Sequence, residues 1–141
     1  LRQLGVRITW VGSASIANTT ALHLAGPALH GTYGVTDFAA DANPVSKAFA
    51  ERYQAAHKAA PDLQSAWVFD AVTLLARAIR DAGGTEPGRI RAALLAIRGH
   101  MGAEGEYNFD ANGDGLHGYN VVRNDGGKVV FVRRVDFPAA G

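Results

Sequence analysis

The chain has 141 residues, 48% hydrophobic and 19% charged, with a formal net charge of +1. That balance describes an ordinary globular unit with a core, and the near-neutral charge removes the electrostatic case for nucleic acid or an anionic membrane as partner. There is no cysteine, which excludes thiol catalysis, disulfides and cysteine-ligated metal centres.

Leu1-Arg2-Gln3-Leu4-Gly5-Val6-Arg7 reads as the last turn of a helix running into a strand. Without an initiator methionine, the chain is expected to be a piece of something longer. Ile8-Thr9-Trp10-Val11 is a short β-rich run stopped by Gly12, followed by a small, hydroxyl-rich loop from Ser13 to Asn18. Loops after the carboxyl end of a strand are where open α/β sheets place ligands. A short helix over 19–25, capped by Asn18 and ended by Gly26-Pro27, leads to a second strand over 31–36. Asn43 as cap and Pro44 at the first helical position start the next helix, with Val45, Ala48, Phe49, Arg52, Tyr53 and Ala56 on one face and Pro61 as its limit.

Ser65 to Gly83 forms the central helix, capped by Ser65 and closed by Gly83 in the left-handed conformation. Its polar side chains, Asp70, Thr73, Arg77, Arg80 and Asp81, recur at intervals that predict one narrow solvated stripe. Trp67, Val68, Ala71, Val72, Leu74, Leu75, Ala78, Ile79 and Ala82 cover the rest, so the helix is expected to be nearly surrounded. A third helix begins near Glu86-Pro87, places Ile90, Ala93, Leu94 and Ile97 on one side, and stops by Gly99. Glu106 to Phe109, Tyr119 to Arg123 and Lys128 to Val135 alternate as strands, the last two joined by the Asn124-Asp125-Gly126-Gly127 turn. The order is β-α-β, three helices, then a β-meander: an α/β fold.

Asp110-Ala111-Asn112-Gly113-Asp114-Gly115 has the opening of a calcium loop, but its twelfth position is Val121 and its flanks are strands, so an Asx-stabilised turn is expected. His23, His30, His57, His100 and His117 lack metal-ligand spacing. No nucleophile elbow is present, since Gly12 is followed two positions later by Ala14. Ser13 and Ser15 are read either as hydrogen-bond donors to a ligand or as loop caps. Arg77, Arg80, Arg89, Arg91 and Arg98 are interrupted by acids and apolar residues, as on a solvated helical surface. No acid–base or nucleophile constellation emerges, and no cofactor or metal site is expected.

Several stretches together resemble the C-terminal part of the type I periplasmic solute-binding proteins, in the branched-chain amino-acid group of ABC-transporter receptors. They are Trp10-Val11-Gly12-Ser13-Ala14-Ser15, Ala25-Gly26-Pro27-Ala28 leading to Gly31, Phe49-x-x-x-Tyr53, and Phe69-Asp70-Ala71-Val72-Thr73-Leu74-Leu75-Ala76-Arg77-Ala78-Ile79. Ile90-Arg91-x-Ala93-Leu94 and Gly105-x-x-x-Phe109-Asp110-x-Asn112-Gly113-Asp114 complete the set, in order and across nearly the whole chain. The resemblance implies a non-enzymatic, two-lobed receptor, periplasmic or lipid-anchored outside the membrane, that delivers a small solute to a membrane permease. The alternative is a ligand-sensing domain of a signalling or regulatory protein with the same fold.

It also implies that residues 1–38 belong to the C-terminal lobe, the helices of 39–104 to the N-terminal lobe, and the strands of 105–141 to the C-terminal lobe again. The N-terminal portion would then lie outside this chain, and a fragment of that kind is expected to dimerise or domain-swap. The ligand-binding positions carried over are Ser13, Ala14, Ser15 and Phe69. Amino-acid-binding relatives often hold the ligand's ammonium with an acid where Ala14 stands. Its absence removes a charge-assisted hydrogen bond of about 1.5–3 kcal/mol, pointing to another small acid or amide, or to an amine held elsewhere.

Overall fold

The computed structural model describes residues 4–138; the expected helical turn at the amino terminus therefore falls partly outside the described residues. A four-stranded sheet carries strands β1 (Val11–Gly12), β2 (Tyr33–Thr36), β3 (Gly118–Asp125) and β4 (Lys128–Asp136), side by side in that order. β1 and β2 are parallel, with Val11 opposite Tyr33; β2–β3 and β3–β4 are antiparallel, with a bulge at Val121/Val122. Gly126 and Gly127, at φ 60° and 89°, form the two-residue loop of the β3–β4 hairpin, where positive φ matches the strand twist. β1 is shorter than the β-rich run predicted, and Gly12 lies within the strand rather than ending it.

Between β2 and β3 come α2 (Pro44–His57), α3 (Leu63–Ala82) and α4 (Pro87–Leu95), after a short α1 (Thr19–Ala25) between the first two strands. Local chemistry fixes their starts. Asn18 accepts from the backbone N–H of Thr20 and Ala21, Asn43 from Val45 and Ser46, and Glu86 from Gly88 and Arg89. α3 begins three residues earlier than predicted, because Asp62 rather than Ser65 caps it: Asp62 Oδ1 accepts from the Ser65 N–H at 3.0 Å and from its hydroxyl at 2.8 Å. Gly83 ends it at φ 65°, as expected. α2 stops at His57 through Lys58 in the left-handed region, before Pro61. On α2 only Ser46 and Phe49 are buried, and Ile97 is buried just beyond the end of α4.

Two further strands, His100–Met101 and Glu106–Tyr107, pair with each other. The strand at Glu106 therefore stays beside the helices, and the return to the main sheet begins at Gly118. The Asp110 turn is an Asx turn: Oδ1 of Asp110 accepts from the N–H of Asn112, Gly113 and Asp114 at 2.9–3.0 Å.

The central helix departs most from its helical-wheel reading. Asp70, assigned to the solvated stripe, is fully buried, on a line with Leu63, Ala66, Leu74, Ala78 and Ala82. Val68 and Val72, assigned to the core, are 64% and 62% exposed, and Trp67 and Leu75 are exposed beside them. A buried carboxylate is tolerated only when donors meet it, and Asp70 has three. Its oxygens accept from the N–H of Ala103 at 2.8 Å, the N–H of Glu104 at 2.9 Å and the Tyr107 hydroxyl at 3.2 Å. The helix is thus anchored along one side by a carboxylate and bare on the other.

Candidate functional site

The loop after β1 folds into a one-turn 3-10 helix, Ala14–Ala17, pressed onto the sheet. A Cβ on Gly12 would lie 2.9 Å from the Ile16 side chain and one on Gly34 3.0 Å from it, so both strands need glycine for the turn to seat. Ser13 and Ser15 stand exposed, their hydroxyls 3.5 Å apart. Ala14 packs against a core cluster of Phe38, Phe49, Leu63, Ala66 and Ala103.

Phe69, in the second turn of α3, is half-buried against the same cluster. Its ring centroid is 4.9 Å from that of Phe49, and the Arg52 guanidinium lies 5.8 Å above its face, within cation–π range. Of the four positions singled out in the sequence, two converge on one aromatic cluster where sheet and helices meet. The two serines flank that cluster on the solvent side of the loop.

Two acids at this junction carry no periodic signal in the sequence. Asp37 follows β2, and Glu104 lies between the paired strands His100–Met101 and Glu106–Tyr107. The Trp67 indole N–H donates to Oδ2 of Asp37 at 3.3 Å, and the Asn120 amide donates to the Asp37 carbonyl at 2.6 Å. Burial pushes the Asp37 carboxyl above its ordinary range, opposed by the Trp67 hydrogen bond and the charge of Arg134. Glu104 is only 4% exposed; Oε2 accepts from the Tyr107 hydroxyl at 2.7 Å, while Oε1 has no partner among the described residues. Burial is the largest cause that raises its pKa to about 8; the Tyr107 hydroxyl opposes this, and the negative charges of Asp37 and Asp70 add to it. Burial and the two neighbouring carboxylates also push the Tyr107 hydroxyl up, so it stays a proton donor.

The signal for Glu104 was a single acid set among small and apolar residues, Met101-Gly102-Ala103 before it and Gly105 after it. Such an acid has no solvated face to occupy. Among the described residues, no group of histidine, aspartate and glutamate is arranged to hold a metal ion.

The family model for periplasmic binding proteins matches residues 1–128. No curated protein matches the chain significantly. Among solved structures, the leucine-binding protein LivK of Thermotoga maritima superposes with a TM-score of 0.88 at 28% identity, over 96% of this chain and 39% of that one. The solute-binding protein of an ABC transporter from R. palustris, in complex with benzoate, gives 0.80 at 25% identity, over 95% and 38%. LivJ of Streptococcus pneumoniae, in complex with isoleucine, shares the fold at 24% identity, with a TM-score of 0.82 over 96% and 39%. The chain thus spans about two fifths of the length of these structures, and its mixed α/β architecture is part of the type I periplasmic-binding fold.

Proposed function

The chain belongs to the periplasmic binding protein family, and we propose that it supplies one side of the solute cleft in the extracytoplasmic receptor of an ABC importer. The solutes are amino acids or related small carboxylates and amides, handed to a membrane permease. The observation that carries this reading is the convergence of the partly buried Ala14 and Phe69, from different parts of the chain, on one buried hydrophobic cluster. A loop at the end of a parallel strand and an aromatic side chain facing it make a recognisable solute wall.

In this reading, residues 1–38 and the returning strands form one lobe and the helices from 39 onward contribute to the other. All four strands of the main sheet come from 11–36 and 118–136, with the helices between, which supports that division. The rest of the receptor packs on the exposed apolar face of α3, at Val68 and Val72. Residues 1–141 expressed alone are then expected to self-associate. Light scattering that finds a well-folded monomer contradicts that part of the proposal.

The test is a thermal-shift screen of the whole protein carrying residues 1–141 against amino acids, amides and small carboxylates, followed by calorimetry on the best solute. Selective stabilisation by one class is expected. Phe69→Ala should raise the dissociation constant at least about tenfold, roughly 1.4 kcal/mol, with the protein still folded at the assay temperature. An unchanged constant would return Phe69 to the core and remove it from the cleft.

A further inference from the structure

Two side-chain hydrogen bonds fasten the first turns of α3 to the loops that follow β1 and β2. Asn18 Nδ2 donates to Oε1 of Gln64 at 3.4 Å, across 46 residues of chain, and the Trp67 indole N–H donates to Oδ2 of Asp37 at 3.3 Å, across 30. Gln64 and Trp67 are three positions apart, so both bonds leave the same side of the helix. Beside them the buried Leu63 and Ala66 belong to the cluster against which Ala14 and Phe69 pack.

Each bond has one end held firmly. Oδ1 of Asn18 caps α1 through the N–H groups of Thr20 and Ala21, which fixes the amide with its nitrogen turned towards Gln64. Asp37 is tied to the sheet: its carbonyl accepts from the Asn120 amide on β3 at 2.6 Å, and the charge of Arg134 on β4 acts on its carboxylate. The other ends, Gln64 and Trp67, are exposed, so water competes for both bonds. Bonds of this length and exposure are made and broken without unfolding the elements that carry them. A hydrogen bond open to water shifts an equilibrium by about two- to tenfold, enough to bias a moving joint and too little to lock it.

We propose that Asn18, Gln64, Asp37 and Trp67 form a clasp that holds the helices closed against the sheet and sets how far apart the two sides of the solute cleft stand. The four are positioning residues: none touches solute, and they act by keeping Phe69, on α3, opposite Ala14, on the loop after β1. The proposal deepens the cleft reading and rests on its division of the chain into two lobes, since Asn18 and Asp37 fall in one and Gln64 and Trp67 in the other. Opening the clasp gives the lobes a second arrangement, and a solute held from both sides binds the clasped one more tightly.

The clasp is read without solute, from the distance between two spin labels in the whole protein carrying this chain. Leu24→Cys on α1, where the side chain is 80% exposed, and Gln54→Cys on α2 put one label on each lobe, and the chain has no cysteine of its own. Electron–electron double resonance is expected to give a dominant short distance and a minor long one. Asn18→Ser keeps a capping side chain for α1 while losing the amide. That change, Gln64→Ala and Trp67→Phe should each raise the long-to-short ratio about two- to tenfold. Gln64→Glu and Asp37→Asn keep an acceptor and should stay near the unaltered ratio. The double variant of Asn18→Ser with Gln64→Ala should open the joint no further than either change alone.

Leucine, leucinamide and 4-methylpentanoate are then titrated as amino-acid, amide and carboxylate probes. For any that binds, the clasp variants should raise the dissociation constant through faster release at an unchanged association rate. Phe69→Ala should weaken the same probe with the distances unaltered. If none of the three binds, the distances alone decide. Unaltered distances in the folded Asn18→Ser, Gln64→Ala and Trp67→Phe proteins overturn the proposal, and so does a double variant whose two effects multiply. Where the distances shift but Phe69→Ala leaves every probe's binding untouched, the solute wall falls and the clasp stands.

Discussion

Asp70 and Glu104 are two carboxylates buried side by side and joined through one tyrosine, and they are satisfied to very different degrees. Asp70 receives two backbone N–H groups and a hydroxyl, all from the segment 103–107. Glu104 receives the shared hydroxyl alone, with one oxygen unpartnered. Burial by itself does not decide what a carboxylate does; the donors the backbone aims at it do. Asp70 is thus a structural pin that ties α3 to the strands beside it, whereas Glu104 keeps one oxygen without a donor among the described residues.

The largest effect should come from removing the pin. Asp70→Ala strands the two buried N–H groups of Ala103 and Glu104, leaving the Tyr107 hydroxyl to Glu104, and should cost about 3–5 kcal/mol in urea or thermal denaturation, with Asp70→Asn recovering part of it. If Asp70→Ala costs under about 1 kcal/mol, the two acids do not differ as described.

Next comes the pH dependence of stability. The folded-state pKa of Glu104, about 8, lies above its ordinary 4.5, so the folded protein holds the extra proton between these values. Its contribution is fully present below about pH 4.5 and is lost as pH rises through about 8. The slope approaches about 1.4 kcal/mol per pH unit inside that window. The raised Asp37 acts in the same direction. Glu104→Gln should flatten the profile, and an unaltered slope would transfer the effect to another group.

Smaller changes probe the pin's fit. A Cβ on Gly102 would meet Oδ2 of Asp70 at 2.5 Å, so Gly102→Ala should cost about 1–3 kcal/mol by displacing the carboxylate, read as a lowered midpoint. Ser46, 1% exposed, donates to the Ala103 carbonyl at 2.7 Å and steadies the same segment from α2. Ser46→Ala should cost about 1 kcal/mol, the smallest of the set.

The contrast also explains what the sequence made legible. Caps at Asn18 and Asn43, the Gly83 stop and the Asp110 turn were readable because each is closed by residues within four positions. The element order and the family resemblance followed from such signals taken in series. Asp70 was misplaced because its partners lie 33 to 37 residues further on, and a helical wheel assigns polar residues to solvent by default. The His100–Met101 strand was missed because two residues show no alternation. Val68 and Val72 were assigned to the core because their hydrophobicity does not reveal which face the chain's own elements cover. Ala14 and Phe69 were singled out through the resemblance, whereas the buried acids Asp37 and Glu104 drew no attention, since neither belongs to a motif.

The most direct measurement is a carbon-13 NMR titration of the Glu104 side-chain carboxyl, assigned by comparison with Glu104→Gln. The structure predicts a midpoint near pH 8. A midpoint in the ordinary glutamate range, about 4.3, would show that the acid already has the partner that the structure denies it.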